Sequence, residues 1–405
     1  MKSDYDIIVI GGGPAGSTFA RIAAKEGREV LVIDKRKEIG NPVRCGEGLG
    51  SKEVIAMGLD VPKQAISENI VGAKIIPPNG KALSWKEDSG STGGWVLERK
   101  IFDKWLCELA VDEGAEIRTY TRATDLVKEN GKIAGVKIKQ WGNDEHEIRA
   151  PLVVSAEGME AQIARKAGFN TVHNLYDVDT CYQYEMKNYD SEKMIELYFG
   201  TKIAPRGYVW VFPKKDNRAN VGIGIGGAIV NGDKYGIPGA EPKRLLDEFI
   251  ANHEQLKHAS TLDDFGGVIS VGAPLDHFVT DNFLVVGTAA KQVDPLHGGG
   301  ITLAMEAGVL AANVALKAKE KGYTKDSMME YETTWKKTSG EAVNKRLMLR
   351  HVLEKISDDD INHIFNVITP EDLNKITSGN FAETVAKVVA GRPQLVGILG
   401  GLLKK

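Results

Sequence analysis

Three glycines at a fixed spacing form the clearest candidate for chemistry in the chain. YDIIVI, from residue 5, leads into Gly11-x-Gly13-x-x-Gly16, a helix-compatible stretch, and EVLVID ending at Asp34. This order predicts a complete βαβ unit. Gly11 permits the tight turn, Gly13 lets a pyrophosphate approach the backbone, and Gly16 allows the helix to pack closely on the strand. Because Asp34 can accept a hydrogen bond from an adenosine ribose hydroxyl and would repel the 2′-phosphate of NADP, the unit predicts a dinucleotide site, the alternative being a tight turn alone.

A second strand-to-helix junction lies far downstream, in LVVGTAAKQVDPLHGGGITLAMEAG, residues 284–308. A buried strand leads to Thr288, and a loop then leads to Gly298-Gly299-Gly300 at the start of a helix. A second helix N-terminus at this distance suits a long cofactor such as FAD, whose flavin end extends beyond the pyrophosphate. The positive end of that helix can stabilise negative charge on reduced flavin. The alternative is a helix that is capped by glycine for structural reasons.

Alternating aromatic residues indicate a site for a long apolar chain. Tyr208, Trp210 and Phe212 share one face of a predicted strand, and Gly222 and Gly224 fall on its predicted neighbour. Large rings opposite glycines leave a flat apolar trough that suits an isoprenoid chain. The alternative is an aromatic sheet core, and the pattern alone favours it.

Three residues in loops are candidates for a catalytic role. Cys45 lies in PVRCGEG, residues 42–48, a loop without apolar periodicity that suits backbone close to a ligand. Cys45 is expected beside the flavin or as a small, partly buried residue. Asp294 and His297 precede the second glycine run and can move protons near the flavin, or they form a solvated loop pair.

Composition excludes several classes of protein. The 405 residues carry a formal net charge of −3, which gives no electrostatic field for nucleic acid. The three cysteines form no CxxC motif, and the absence of a Cys/His cluster argues against a metal site. With no apolar run of about 18 residues and no targeting segment, we expect a cytoplasmic protein. The final stretch QLVGILGGLLKK, residues 394–405, either rests on an anionic bilayer as a peripheral contact or docks as a helix on the protein.

The order of these segments predicts an α/β fold, α+β overall: a Rossmann-type domain interrupted by an antiparallel β-sheet domain, followed by a helical region. The predicted dinucleotide domain is discontinuous and comprises residues 1–75, 98–170 and 270–325. The β-rich, substrate-binding domain comprises 76–97 and 171–269, and the helical C-terminal region comprises 326–405.

The sequence also resembles a known family of flavoproteins. The glycine fingerprint, Arg99 at the start of a helix, the segment Ser155-Ala156-Glu157-Gly158, and the GTAA…P…GGG run look like the class of para-hydroxybenzoate hydroxylase. PVRCGEG, and YVWVFP followed by Gly222-Ile223-Gly224, are similar to the signatures of geranylgeranyl reductases. The resemblance covers roughly residues 5–310, and the helical tail carries no motif.

The resemblance implies specific contacts. Beyond Gly11, Gly13 and Gly16, the implied FAD contacts are Ala15, Asp34, Cys45, Gly46, Gly48, Arg99, Ala123, Thr288, Gly300 and Ile301. The implied substrate contacts are Tyr208, Trp210, Phe212, Pro213, Gly222 and Gly224. The chain departs from the family pattern in having Thr288 where Asp is usual, which leaves a hydroxyl and a backbone N–H for the ribityl chain. It also has Glu157 in place of the usual Asp.

The resemblance implies an FAD-dependent reductase that saturates C=C bonds in geranylgeranyl chains of archaeal-type ether phospholipids, with hydride from flavin N5 and a proton added to the other carbon. Only one dinucleotide fingerprint is present, since GIGIGG at 222–227 lacks a following helix, so a nicotinamide nucleotide or a ferredoxin-like protein must bind transiently as electron donor. The alternatives are a reductase of the phytyl chain of chlorophyll, an aromatic monooxygenase, and a non-catalytic lipid-binding or redox-sensing flavoprotein.

Overall fold

Strands dominate the first two thirds of the chain and helices the last third. The computed structural model describes residues 2–86, 93–142, 144–230, 241–377 and 382–396. The strands there are β1 (Ile7–Ile10), β2 (Val30–Ile33), β3 (Gly48–Leu49), β4 (Ile66–Ile70), β5 (Gly72–Ile76), β6 (Leu83–Lys86), β7 (Gly94–Leu97), β8 (Glu116–Arg118), β9 (Thr121–Glu129), β10 (Lys132–Gln140), β11 (His146–Arg149), β12 (Leu152–Ser155), β13 (Val178–Lys187), β14 (Met194–Tyr198), β15 (Tyr208–Lys214), β16 (Arg218–Gly226), β17 (Ser260–Ser270), β18 (Val279–Thr280) and β19 (Phe283–Val285). The α-helices are α1 (Pro14–Lys25), α2 (Ser51–Ala56), α3 (Arg99–Asp112), α4 (Gln162–Lys166), α5 (Gly227–Val230), α6 (Pro242–Asn252), α7 (Ile301–Ala318), α8 (Lys325–Lys337), α9 (Ser339–Leu353), α10 (Asp358–Val367), α11 (Pro370–Thr377) and α12 (Ala382–Gly391).

The predicted βαβ unit lies at the centre of a six-stranded sheet with the order β18-β19-β12-β1-β2-β8. Strand β1 pairs in parallel with β2 on one side and with β12 on the other, so Ile7 lies opposite Val30 and Leu152. Every residue of β1 and β2 is buried, as expected for a parallel sheet covered on both faces. The predicted Rossmann-type α/β architecture is confirmed.

Helix α7 packs against α1 and is itself part of the core. A Cβ atom on Gly308 would lie 2.6 Å from the Ala15 carbonyl oxygen, so glycine is what allows the two helices to approach so closely. The segment Ile301–Lys321 is long and apolar enough to cross a membrane by composition, although the sequence prediction found no such run. Because 56% of its most apolar stretch is buried inside the protein, packing explains its composition.

The aromatic segments form a separate seven-stranded sheet with the order β17-β13-β16-β15-β14-β5-β6. Its pairs are antiparallel, as predicted, except β14 with β5, which run parallel. One face of β15 and β16, with Val209, Val211 and Val221, belongs to a core that also contains Leu245 and Leu246 of α6. The opposite face of this strand pair is therefore left for the site.

Two strands lie in ranges that were predicted for a different domain. Strand β5 begins at Gly72, inside the range 1–75 predicted for the dinucleotide domain, yet it belongs to the seven-stranded sheet. Strand β7 lies inside the range 76–97 predicted for the β-rich domain, yet it pairs with β3 and β4 in a small three-stranded sheet. The sheet that each strand joins depends on its pairing with other segments of the chain, and the sequence of a single strand does not show which partner it will have.

Two of the remaining predicted features agree with the structure, and one does not. Strands β9 and β10 form a hairpin that turns at Asn130 and Gly131, both with positive φ, and β11 completes this sheet. Helix α5 begins at Gly227, the last glycine of the GIGIGG segment, after which no helix was predicted. The C-terminal region is helical from α8 to α12, as predicted. Most of the apolar C-terminal stretch, residues 397–405, lies outside the described residues.

Candidate functional site

A cavity of about 1800 Å³ runs from the glycine turn after β1 to the C-terminal helices. Its walls bring together four segments that are far apart in sequence: the turn at Gly11 and Gly13, the loop around Cys45, strand β15, and the loop before α7. The segments that the sequence singled out separately therefore border one continuous space.

The three glycines of the fingerprint have different surroundings: two pack closely against backbone atoms, and the third faces open space. A Cβ atom on Gly11, where φ is +109°, would lie 2.3 Å from the Ala156 carbonyl oxygen, and one on Gly16 would lie 2.0 Å from the Gly11 oxygen. A Cβ atom on Gly13 would meet nothing within 4 Å, because Gly13 faces the cavity at the N-terminus of α1. Ala15 instead packs on Gly287, so Ala15 and Gly16 are not among the side chains that line the cavity.

Asp34 lies at the end of β2 on the cavity wall and is only 4% exposed. Its carboxylate accepts a hydrogen bond from the backbone N–H of Gly12 at 2.9 Å and two from the Arg36 guanidinium at 2.9 and 2.7 Å. Burial alone would raise the pKa of Asp34, but these donors outweigh it and hold the pKa below its ordinary value. The backbone N–H of Arg36 donates a further hydrogen bond at 2.8 Å, so the carboxylate is ionised at neutral pH and held in place on the cavity wall.

The loop around Cys45 lies directly on the aromatic strand. A Cβ atom on Gly46 would lie 3.2 Å from the rings of both Phe212 and Trp210, and one on Gly48 would lie 3.0 Å from Phe212. These glycines therefore let the loop backbone approach the rings. Cys45 is partly buried on the cavity wall, and its Sγ accepts a hydrogen bond from the Glu47 N–H at 3.2 Å.

Arg99 and Ala123 also reach the cavity, as the resemblance implies. Arg99 is the first residue of α3, and its guanidinium donates to both carboxylate oxygens of Asp103 at 2.8 Å. Glu157, which stands in place of the usual Asp, accepts hydrogen bonds from the N–H groups of Ile163 and Ala164 at the start of α4. It therefore serves to order this turn beside the cavity.

Trp210 lies between Tyr208 and Phe212 on the cavity wall, with ring centroids 6.1 and 6.4 Å away. Strand register places Gly224 opposite Tyr208 and Gly222 opposite Trp210, as the sequence predicted. Gly222 lies behind the indole ring rather than on the cavity wall, since a Cβ atom there would lie 2.1 Å from it.

Pro213 does not join the other predicted substrate contacts. Side chains alternate along a strand, so Pro213 shares the face of Val209 and Val211, which is turned away from the cavity. The prediction of a substrate contact from this side chain is therefore wrong. The same alternation places Lys214, which the sequence interpretation missed, on the face of Phe212.

The loop before α7 supplies the remaining predicted contacts. Thr288, Gly300 and Ile301 line the cavity, with Gly300 immediately before the first turn of α7. The Tyr208 hydroxyl donates to the backbone oxygen of His297 at 2.5 Å and so ties the loop to β15. This contact joins the helix N-terminus to the aromatic wall.

Asp294 is a buried carboxylate in contact with His297 and Arg346. Asp294 is 1% exposed, lies 3.1 Å from His297 Nε2, and also pairs with the Arg346 guanidinium. Burial would raise the pKa of Asp294, yet His297 and Arg346 hold it well below its ordinary value. Asp294 therefore stays ionised and cannot serve as a proton donor near neutral pH, so the structure favours an anchoring role.

The helical tail, for which the sequence offered no motif, closes the far part of the cavity. Ten of its lining side chains are large and apolar: Leu349, Leu353, Ile356, Ile361, Ile364, Phe365, Ile368, Leu373, Val385 and Val388. Polar and charged side chains line the same part of the cavity: Ser339, Arg346, Arg350, Glu354, Lys355 and Thr384. Phe365 contacts the ring of Phe199 across the cavity, with centroids 5.8 Å apart. The helical spacing of these residues was visible in the sequence, but the surface that they face was not.

The residues present fit a bound FAD. The open face of Gly13 at the N-terminus of α1 would receive the pyrophosphate, and Asp34 would hold the adenosine ribose. The loop around Cys45 and the segment from Thr288 to Ile301 would hold the flavin end. This fold and site define an FAD-dependent oxidoreductase.

Comparisons with known proteins agree with this class and narrow it. Residues 6–199 match the model of the FAD dependent oxidoreductase family, and residues 177–269 match that of the geranylgeranyl reductase catalytic domain. Digeranylgeranylglycerophospholipid reductase 2 of Methanococcoides burtonii is 40% identical over 90% of this chain and 88% of its own length. The corresponding enzyme of Methanoculleus marisnigri is 40% identical over 89% of each chain. The chain belongs to the geranylgeranyl reductase family of FAD-dependent oxidoreductases.

Solved structures support the same assignment. A geranylgeranyl bacteriochlorophyll reductase-like protein from Thermoplasma acidophilum is 35% identical, with a TM-score of 0.89 over 99% of this chain and 100% of that chain. A flavin-dependent brominase shares the fold with a TM-score of 0.73 over 96% of this chain and 100% of that chain, at 18% identity.

Proposed function

We propose that this protein saturates the C=C bonds of geranylgeranyl chains in archaeal-type ether phospholipids, as a step of membrane lipid biosynthesis. The observation that carries the proposal is the continuity of one cavity, from the cofactor wall past Trp210 and Phe212 to the apolar C-terminal helices. An isoprenoid chain bound in that space would therefore lie beside the cofactor. The names of the relatives support this choice of substrate.

The chain's own residues contribute orientation and exclusion of water. Bound reduced FAD supplies the hydride, and a proton added to the second alkene carbon completes the two-electron reduction. An unconjugated alkene accepts hydride poorly, so the rings of β15 and the apolar tail must hold it in one pose in a dry pocket. Cys45 and His297 are the proton-donor candidates, because both line the cavity and Asp294 is ionised.

The test is direct reduction of lipid. The purified protein is loaded with FAD, reduced with dithionite and mixed with digeranylgeranylglycerophospholipid, and the lipid is analysed by mass spectrometry. We expect a gain of two hydrogens for each double bond reduced, and none without reductant. Unchanged lipid beside fully reduced flavin would refute the proposal, and oxygen consumption with a phenolic substrate would instead indicate a monooxygenase.

A pigment substrate is the second candidate, because the Thermoplasma acidophilum neighbour is named for bacteriochlorophyll. Supplying geranylgeranylated pigment in place of lipid separates the two. Replacing dithionite by NADPH or by a reduced ferredoxin tests the transient electron donor. We also propose that this protein is cytoplasmic and binds peripherally to the inner face of the membrane, where its substrate lies. Co-sedimentation with anionic vesicles would test this binding.

A further inference from the structure

A buried lysine lies at the end of the aromatic strand. Lys214 is on the same face as Phe212 and its side chain is 1% exposed. Its Nζ lies 2.7 Å from Glu47, 3.0 Å from Glu98 and 3.3 Å from Glu185, so carboxylates from three separate segments converge on one ammonium group. Strong desolvation makes such a lysine costly unless every partner is in place.

The charges of this cluster nearly balance. Arg218 pairs with Glu98 at 2.9 Å and with Glu185 at 2.6 Å, which sets two cations against three carboxylates. Burial lowers the pKa of Lys214, but the surrounding carboxylates raise it by more. Its pKa therefore lies above the ordinary value of a lysine, and the ammonium group stays charged. Burial also raises the pKa of Glu47, although Lys214 opposes this, so it is the short contacts of the cluster, rather than its titration, that make it a link between these segments.

Asn220, on β16, extends the link to the cavity wall. Its side-chain oxygen accepts from the Trp210 indole N–H at 2.9 Å, and its amide nitrogen donates to the Cys45 carbonyl at 3.2 Å. The same nitrogen lies 3.4 Å from Glu47, whose other oxygen accepts from the Arg99 N–H at 3.0 Å. One amide thus connects the loop on the cofactor side with the aromatic ring on the substrate side.

We propose that Asn220 and Lys214 are positioning residues that hold the Cys45–Gly48 loop in register with Trp210. This inference rests on the proposed function, in which the loop faces the flavin and the ring faces the isoprenoid chain. The link sets the separation of the two walls, and hence the distance between the reacting alkene and the hydride source. Misplacement by about 1 Å costs on the order of a hundredfold in rate.

Asn220→Leu tests the link, because leucine has a similar volume and makes none of these hydrogen bonds. We expect kcat with dithionite and lipid to fall about ten- to a hundredfold, with FAD content and KM nearly unchanged. Alkylation of Cys45 by iodoacetamide, followed by peptide mass spectrometry, should become several-fold faster as the loop is released. The buried Cys107 is the internal control and should react no faster.

Lysine variants provide a second line of evidence. Lys214→Arg keeps the charge and should retain most of kcat, whereas Lys214→Met should behave like Asn220→Leu or fail to fold. Lys336→Met is the matched control, because it removes an ion pair with Glu332, at 2.7 Å, away from the cavity. It should leave kcat unchanged.

Three outcomes would overturn the inference: unchanged kcat and Cys45 alkylation in Asn220→Leu, faster alkylation of Cys45 and Cys107 alike, which would indicate general destabilisation, or loss of activity in Lys336→Met. If the wild-type protein reduces no lipid, the proposed function fails. The alkylation rates would still decide whether the link positions the loop.

Discussion

Gly222 offers a sharp test of the aromatic wall, because its neighbour Gly224 supplies a matched control. A Cβ atom on Gly222 would lie 2.1 Å from Trp210 Cζ2 and 2.8 Å from Gln183 Cβ. On Gly224 the nearest atom would be Cys181 Sγ at 3.4 Å, an ordinary contact. Both glycines are on the same strand and face, so the effects of the two substitutions on stability differ mainly through this overlap.

For Gly222→Ala, the indole must move about 1.3 Å into the cavity to restore a 3.4 Å contact. Overpacking of this kind costs about 1–3 kcal/mol of folding stability. The displaced ring narrows the space for the chain, so kcat/KM for lipid should fall on the order of ten- to a hundredfold. FAD binding should change less than lipid reduction, because the glycine turn and Asp34, which would hold the pyrophosphate and the ribose, lie on other segments of the cavity wall.

The assay compares both variants with the wild type by lipid reduction, urea unfolding and flavin content. Gly224→Ala should retain stability within about 1 kcal/mol, and it serves as the control for stability only, because Gly224 itself lines the cavity. If Gly222→Ala kept wild-type activity and matched Gly224→Ala in stability, the assignment of Trp210 to the substrate wall would be refuted.

Three further predictions concern other walls of the cavity. Asp34→Asn should weaken FAD about tenfold or more, measured by flavin fluorescence titration, because a charge-assisted hydrogen bond is worth about 1.5–3 kcal/mol; unchanged affinity would contradict the ribose assignment. Phe365→Ala should raise KM for lipid while leaving the FAD affinity intact. A similar weakening of lipid and FAD binding would contradict the assignment of Phe365 to the substrate part of the cavity wall. Asp294→Asn tests a lowered pKa: the ion pair with Arg346 and the contact with His297 stabilise the folded state above the unfolded pKa of about 4, and this gain disappears as pH falls toward the lower folded pKa. The difference in melting temperature between wild type and variant should thus be full at pH 7 and shrink below about pH 4, and a constant difference would contradict the assignment.

Local sequence was sufficient to predict the βαβ unit that carries the glycine fingerprint. The fingerprint from Gly11 to Asp34 acts within one βαβ unit, where spacing alone dictates the turn and the second strand. The pairing of Tyr208 and Trp210 with two glycines was predictable for the same reason, because β15 and β16 form a hairpin joined by a short turn.

Tertiary structure decided what these segments meet. Lys214 and Glu47 are 167 positions apart, and only the packing of two sheets brings their charges together. The apolar residues around Phe365 pack into a core of their own, but tertiary structure determines that part of this core borders the cavity, where Phe365 meets Phe199. Sequence periodicity sets which face of an element is apolar, whereas long-range packing sets which surface that face covers.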